Sequence, residues 1–418
     1  MSRKWGKCLD TYHNWKKNIA LFLTSQTISL FGSSLVQYAI MWHITLTTQS
    51  GVMMTISILC GFLPTFFLSP FAGVWADRFN RKLLIAVSDS LIALSTLILA
   101  ILFLQGYDEL WLLFVVSAIR ALGTGIQTPT VGAFIPQMVP PDKLTKVTAT
   151  NSSIQSLVML VSPMLSGALL GMVSIEMIFF IDVITAAIAV SILLFFLRVP
   201  VHAKALEKEP ISYFADMREG FHYIKQHDFV KTFCLFTASF MILAAPVAFL
   251  TPLQVARSFG SDIWRLTAIE VTFSIGMMAG GIVMASWGGF ANRLHTMVLA
   301  TIIMGVCIVV LGVIPSFWLY LFFMAVIGIA MPVFNTPSTV MLQQKVDENY
   351  MGRVFGVFGM ITSSMMPLGM LVFGPIADVI AIEWLLIGTG LLLVVQSFVM
   401  LGNKVMIRAG EPLVTDEK

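Results

Sequence analysis

The chain has 418 residues, of which 57% are hydrophobic and 11% charged, with a formal net charge of +3. A soluble domain carries about a quarter charged residues, so this composition excludes an ordinary soluble enzyme and points to a chain embedded in lipid. The small net charge gives no sign of a nucleic-acid partner. Cys8, Cys60, Cys234 and Cys307 are scattered without metal or redox spacing and read as free thiols.

Residues 1–17 are polar and basic, and the apolar run over 19–46 is too long for the core of a signal peptide. It reads as an uncleaved first span. Further apolar runs follow at 52–75, 83–104, 110–136, 145–171, 175–197, 229–255, 266–287, 296–314, 317–342, 354–377 and 380–402. Most match or exceed the roughly 20 residues that cross a bilayer as a helix. The expected fold is an all-α polytopic membrane protein with twelve transmembrane helices.

The longest polar connection, 198–228, divides the chain. The expected domains are an N-terminal six-helix bundle over 1–197 and a cytoplasmic linker over 198–228. A C-terminal six-helix bundle follows over 229–403, then a cytoplasmic tail over 404–418. Scattered apolar residues in 213–226 suit a helix lying at the interface. Thr128-Pro129 in span 4 recurs as Thr336-Pro337 in span 10. Such a repeat suggests two pseudo-symmetric bundles that rock about a central site.

Orientation follows from the basic residues. Of the 25 lysines and arginines, Arg257 and Arg265 fall outside and Arg120 falls within a span; the other 22 lie in segments on the side of both termini. The positive-inside rule makes that side the cytosol.

The stretch Gly73-Val74-Trp75-Ala76-Asp77-Arg78-Phe79-Asn80-Arg81-Lys82 reads as a tight charged loop between spans 2 and 3. Its pattern resembles the loop between spans 2 and 3 of major facilitator transporters. Asn80 stands where that family usually has glycine, and asparagine also tolerates the left-handed conformation. Within the family, the chain is most similar to the bacterial drug exporters that include macrolide-efflux proteins and the enterobactin exporter. Pro129, Ile135-Pro136-Gln137-Met138-Val139-Pro140 and Ala149-Thr150-Asn151-Ser152 resemble that group's span 4–5 connection. Ser286-Trp287-Gly288-Gly289 with Arg293 resembles its second loop motif, between spans 8 and 9. The resemblance implies a major facilitator fold. It also implies a gating motif of Gly73, Asp77, Arg78, Arg81 and Lys82 that meets the cytoplasmic end of span 11 near Arg353 and Val354.

Span 5 carries Ser162, Pro163, Ser166 and Gly167 where exporters of this family carry a Gly-Pro-x-x-Gly-Gly motif. Serine replaces glycine twice. Small residues let helix backbones approach closely in lipid, and proline removes one backbone bond. Gly171 extends the stripe. A hinge and static packing are both open readings.

Ionisable groups inside spans point to function because burying charge in a bilayer is costly. Arg120 lies near the middle of span 4 and Asp182 in span 6 at similar depth; Glu270 lies in the outer part of span 8. They are the candidates for proton coupling or substrate contact, with a structural Arg120–Asp182 pair as the alternative. Asp89, near the cytosolic end of span 3, reads as solvated there. The family resemblance makes spans 1, 4, 7 and 10 line the cavity. Gln26, Gln37, Tyr38, Trp42, Gln127, Phe236, Phe240 and Asn335 are then candidates for a substrate surface.

No phosphate-cradling Gly-x-x-x-x-Gly-Lys-Ser/Thr loop occurs, and no metal or nucleophile constellation appears. The chain is expected to use no cofactor and no metal and to be no enzyme. It reads as a secondary active exporter of small amphipathic compounds, a monomer in the bacterial plasma membrane exchanging substrate for protons. A lipid or siderophore transporter and a non-transporting receptor are the alternatives.

Overall fold

The computed structural model describes residues 14–197, 213–347 and 350–411. Twelve of its helices are long and apolar enough to cross a membrane. In chain order the helices are α1 (Trp15–Thr48), α2 (Gly51–Arg78), α3 (Arg81–Leu104), α4 (Leu110–Met138), α5 (Pro141–Met172) and α6 (Ile175–Ser191). They continue with α7 (Tyr213–Gln226), α8 (Asp228–Phe249), α9 (Thr251–Ser258), α10 (Ile263–Trp287) and α11 (Arg293–Leu311). The last are α12 (Phe317–Lys345), α13 (Met351–Ile376), α14 (Ile382–Gly402) and α15 (Lys404–Gly410). A π-helical turn, Ile192–Phe196, ends α6. Helices dominate because only they satisfy every backbone group within one segment in lipid.

Two compact units emerge. The first holds Met1–Ile44 and Ile56–Ile211; the second holds Thr45–Thr55 and Ser212–Lys418. The linker helix α7 therefore packs with the second unit, where Arg353 of α13 pairs with Glu219 at 2.8 Å and the Asp347 amide donates to the Tyr223 hydroxyl at 3.1 Å.

The stretch expected as a loop at 73–82 is mostly helix. Helix α2 runs through Arg78, and only Phe79 and Asn80 turn the chain before α3. Asn80 is not left-handed: its φ is −66° and ψ 109°, and its side chain accepts from the Lys82 amide as an N-cap. The left-handed residues of the matching connection are Gly288 at φ 73° and Gly289 at φ 87°, where glycine pays no steric penalty. Asn292 then caps α11 by accepting from the Leu294 amide, as Asn80 caps α3. The repeat extends to the arginines beside these caps. Arg81 donates to Gln137 of α4 at 3.4 Å, and Arg293 donates to Gln344 of α12.

Within the second unit, the tip of the first hairpin docks on the end of α13. Asp378 accepts from the Gly51 amide at 2.7 Å, the Val52 amide at 3.0 Å and the Ser50 hydroxyl at 2.7 Å. Arg257 pairs with the same carboxylate at 2.9 Å and donates to the Ala377 carbonyl at 2.7 Å. The backbones meet at Gly51 and Gly374: a Cβ on Gly51 would stand 2.2 Å from the Gly374 carbonyl oxygen.

Candidate functional site

The densest buried polar cluster of the first unit surrounds Arg120. Its Nη1 donates to an Asp182 carboxylate oxygen at 2.5 Å and to the Thr96 hydroxyl. Its Nη2 donates to the Ser33 carbonyl at 3.0 Å. Asp182 also accepts from Thr96 at 3.1 Å and from Ser33 Oγ at 3.2 Å. Four helices contribute: α1 gives Ser33, α3 Thr96, α4 Arg120 and α6 Asp182. The two charged side chains are 6% and 0% exposed, and every oxygen of the carboxylate has a donor. Gly32 lets α1 reach this cluster, since a Cβ there would lie 2.0 Å from the Thr185 hydroxyl.

Asp89 forms a second cluster with Ser29, at 2.9 Å, and Gln127, at 2.5 Å. The expectation that water solvates Asp89 is overturned: it is 2% exposed, because α3 turns it inward toward α1 and α4. Sequence reading missed Ser29, Ser33 and Thr96 because single hydroxyls in an apolar run are ordinary helix constituents.

Glu270 is half-buried on α10, with no hydrogen bond or ion pair to any described residue. The motif arginine Arg81 is 7% exposed and donates to the Ala76 and Ala133 carbonyls at 2.7 and 2.9 Å. Lys82 donates to the Leu194 and Leu197 carbonyls at 3.0 and 2.8 Å, where a cation suits the end of α6. Arg78 is exposed. Gly73 and Asp77 sit on α2 by their backbone; their side-chain surroundings, and hence the expected contact of Asp77, lie outside what the structure describes.

In α5, Ser162, Pro163, Ser166 and Gly167 are buried, and Ser166 donates to the Leu35 carbonyl at 3.1 Å. Gly171 is exposed with nothing near it, so the close-packed stripe stops one turn earlier than expected. Of the surface candidates, Gln37 and Asn335 are exposed, while Gln26, Tyr38, Gln127 and Phe236 are half-buried. Trp42 and Phe240 are not on a surface: they are 0% and 1% exposed. Trp42 packs near Tyr38, and Phe240 stacks on Phe334 with centroids 4.3 Å apart. Phe240 borders an apolar cavity of about 60 Å³ inside the second unit, lined also by Met304, Met324, Met331 and Met366.

Twelve spans and charge clusters at the centre of a bundle define a polytopic membrane transporter. The family model described as Major Facilitator Superfamily matches residues 19–370, and the chain belongs to that superfamily. It is 29% identical to macrolide efflux protein A of Streptococcus pyogenes over 388 residues, covering 92% of this chain and 96% of that one. It is 23% identical to the staphyloferrin A transporter of Staphylococcus aureus over 401 residues, covering 93% and 98%. Among solved structures, a POT family transporter in complex with 5-aminolevulinic acid aligns with a TM-score of 0.72 at 12% identity, over 92% of this chain and 96% of that one. The nucleoside transporter NupG aligns with a TM-score of 0.68 at 16% identity, over 93% and 99%. At those identities the structural likeness shows the fold alone.

Proposed function

We propose that the chain exports small amphipathic compounds, macrolides among them, in exchange for protons by alternating access. The similarity to macrolide efflux protein A, over nearly the full length of both chains, carries this reading. In this reading the protein is a monomer in the bacterial plasma membrane with both termini in the cytosol. The exposed and half-buried groups Gln26, Gln37, Tyr38, Gln127, Phe236 and Asn335 present polar and aromatic contacts suited to an amphipathic substrate. The motif around Asp77 and Arg78 serves as the cytoplasmic gate, and Ser162 to Gly167 as the helix that bends when the gate moves. Arg120 and Asp182 hold the first bundle together, and Glu270 is the ionisable candidate of the second. The similarity to the staphyloferrin A transporter favours a second reading, in which the cargo is a siderophore.

Everted vesicles containing the protein test both readings. An acid-inside gradient is expected to drive labelled erythromycin into the lumen, and a protonophore is expected to abolish it. Accumulation of labelled staphyloferrin A in place of erythromycin would move the assignment to siderophores. Binding of either compound without flux would make the chain a receptor on a transporter fold.

A further inference from the structure

The Arg120–Asp182 pair and the Asp89 cluster share one bundle but differ in how their carboxylates are satisfied. Asp182 meets a guanidinium and two hydroxyls, spread over both oxygens. Asp89 has its donors on one oxygen: Ser29 and Gln127 both reach Oδ1. Its Oδ2 is buried with no partner, and so is Nε2 of the adjoining Gln26. The charged groups facing Asp89 supply no counter-ion. Arg120 on α4 is committed to Asp182, Thr96 and the Ser33 carbonyl. Asp182 on α6 is an anion within electrostatic reach. Arg81 and Lys82, at the start of α3 itself, are bound to backbone carbonyls. From α1 come only the neutral Ser29 and Gln26.

An ionised carboxylate out of water requires a cation or donors on both oxygens. Asp182 has a cation and donors on both oxygens. Asp89 has no cation among the described residues, and its donors sit on Oδ1 alone while Oδ2 is buried without one, so its ionised form is the less well satisfied of the two carboxyls. A half-turn of the Gln26 amide presents Oε1 to the acid hydrogen, since the two ends of a glutamine amide are interchangeable in shape.

We infer that Asp89, held by Ser29, Gln26 and Gln127, is the group that binds and releases the exchanged proton, while the Arg120–Asp182 pair is a permanent ion pair. Gln26 and Gln127 are half-buried, and Gln127 bonds both the Asp89 carboxyl and Gln26. Loading adds a proton from water to Oδ2, forming an O–H bond and a neutral acid. Release returns that proton to water and restores the carboxylate, toward which the Gln26 amide then turns its N–H group back while Gln127 keeps its own. This inference rests on the proton-exchange reading above.

Infrared difference spectra of the reconstituted protein, taken as pH is stepped from acid to alkaline, give the direct test. A protonated-carboxyl band that titrates is expected in the wild type and in Asp182→Asn, and is expected to vanish in Asp89→Asn. Vesicles carrying Asp89→Asn are expected to lose uphill accumulation of erythromycin at least tenfold while downhill exchange persists. A titrating band that survives Asp89→Asn, or uphill accumulation that survives it, overturns the inference. Absence of any titrating carboxyl band in the wild type overturns it whether or not the variant folds. If wild-type vesicles ignore the gradient while the Asp89 band is present, the exchange reading fails and the proton site stands.

Discussion

Arg120→Ala is expected to abolish gradient-driven transport and to destabilise the first unit by roughly 3–5 kcal/mol, the cost of stranding one member of a buried ion pair. The variant leaves Asp182 with two hydroxyl donors and no cation, and removes the donor to the Ser33 carbonyl. Asp182→Asn is expected to destabilise by a similar amount, because the guanidinium is then the stranded charge. Removing both charges together, as Arg120→Met with Asp182→Leu, is expected to recover much of the stability and none of the transport. Thermal unfolding of the purified variants followed by vesicle accumulation separates the two effects. Equal stability of the single and double variants would show that the pair is not the anchor of this bundle.

Asp378→Ala is expected to free the tip of the first hairpin. One carboxylate caps the first amides of α2, accepts the Ser50 hydroxyl and pairs with Arg257. Loss of a helix cap costs about 1 kcal/mol, and the partly exposed ion pair adds up to about 1 kcal/mol. Hydrogen exchange at Gly51 and Val52 should therefore accelerate by roughly tenfold or somewhat more, since 1.4 kcal/mol is a factor of ten. Unchanged protection would show that the contact contributes nothing. The acid dependence has a definite sign. Burial alone pushes the Asp378 carboxyl up, but the Val52 and Gly51 amides, Ser50 and Arg257 together hold it below the ordinary carboxylate value. A lowered folded-state value contributes stability that is present above the ordinary value of about 3.9 and lost as pH falls through the folded one. The cap should thus hold at neutral and mildly acid pH and release only below about pH 4.

The spans were legible because a bilayer imposes length and apolarity on every crossing, and the twelve apolar runs each became one helix or, at α8 and α9, two. Arg120 and Asp182 were legible for the opposite reason: each is an expensive residue in an apolar run. What escaped was pairing at long separation. Ser50 and Asp378 stand 328 residues apart, and neither has an unusual neighbour. Asp89 was misread because distance from a helix end says nothing of the face a side chain occupies. Trp42 and Phe240 lie buried, Phe240 against an apolar cavity, because an aromatic residue suits a core as well as a binding surface. The 73–82 stretch was read as a loop from its charges, yet charged residues extend a helix readily when the turn beyond it is short and capped.

The docking of Ser50 and Gly51 on α13 bears on the order in which the chain is made. A ribosome adds about 5–20 residues per second, so the tip of the first hairpin waits on the order of tens of seconds before Asp378 exists. During that interval the first amides of α2 lack their carboxylate, and Gly51 lacks the Gly374 backbone it will lie against. The tip must therefore enter the membrane without this cap, and a segment made near the end of the chain completes it. A nascent protein halted after its first half would expose this tip to proteases on the side where the finished protein hides it.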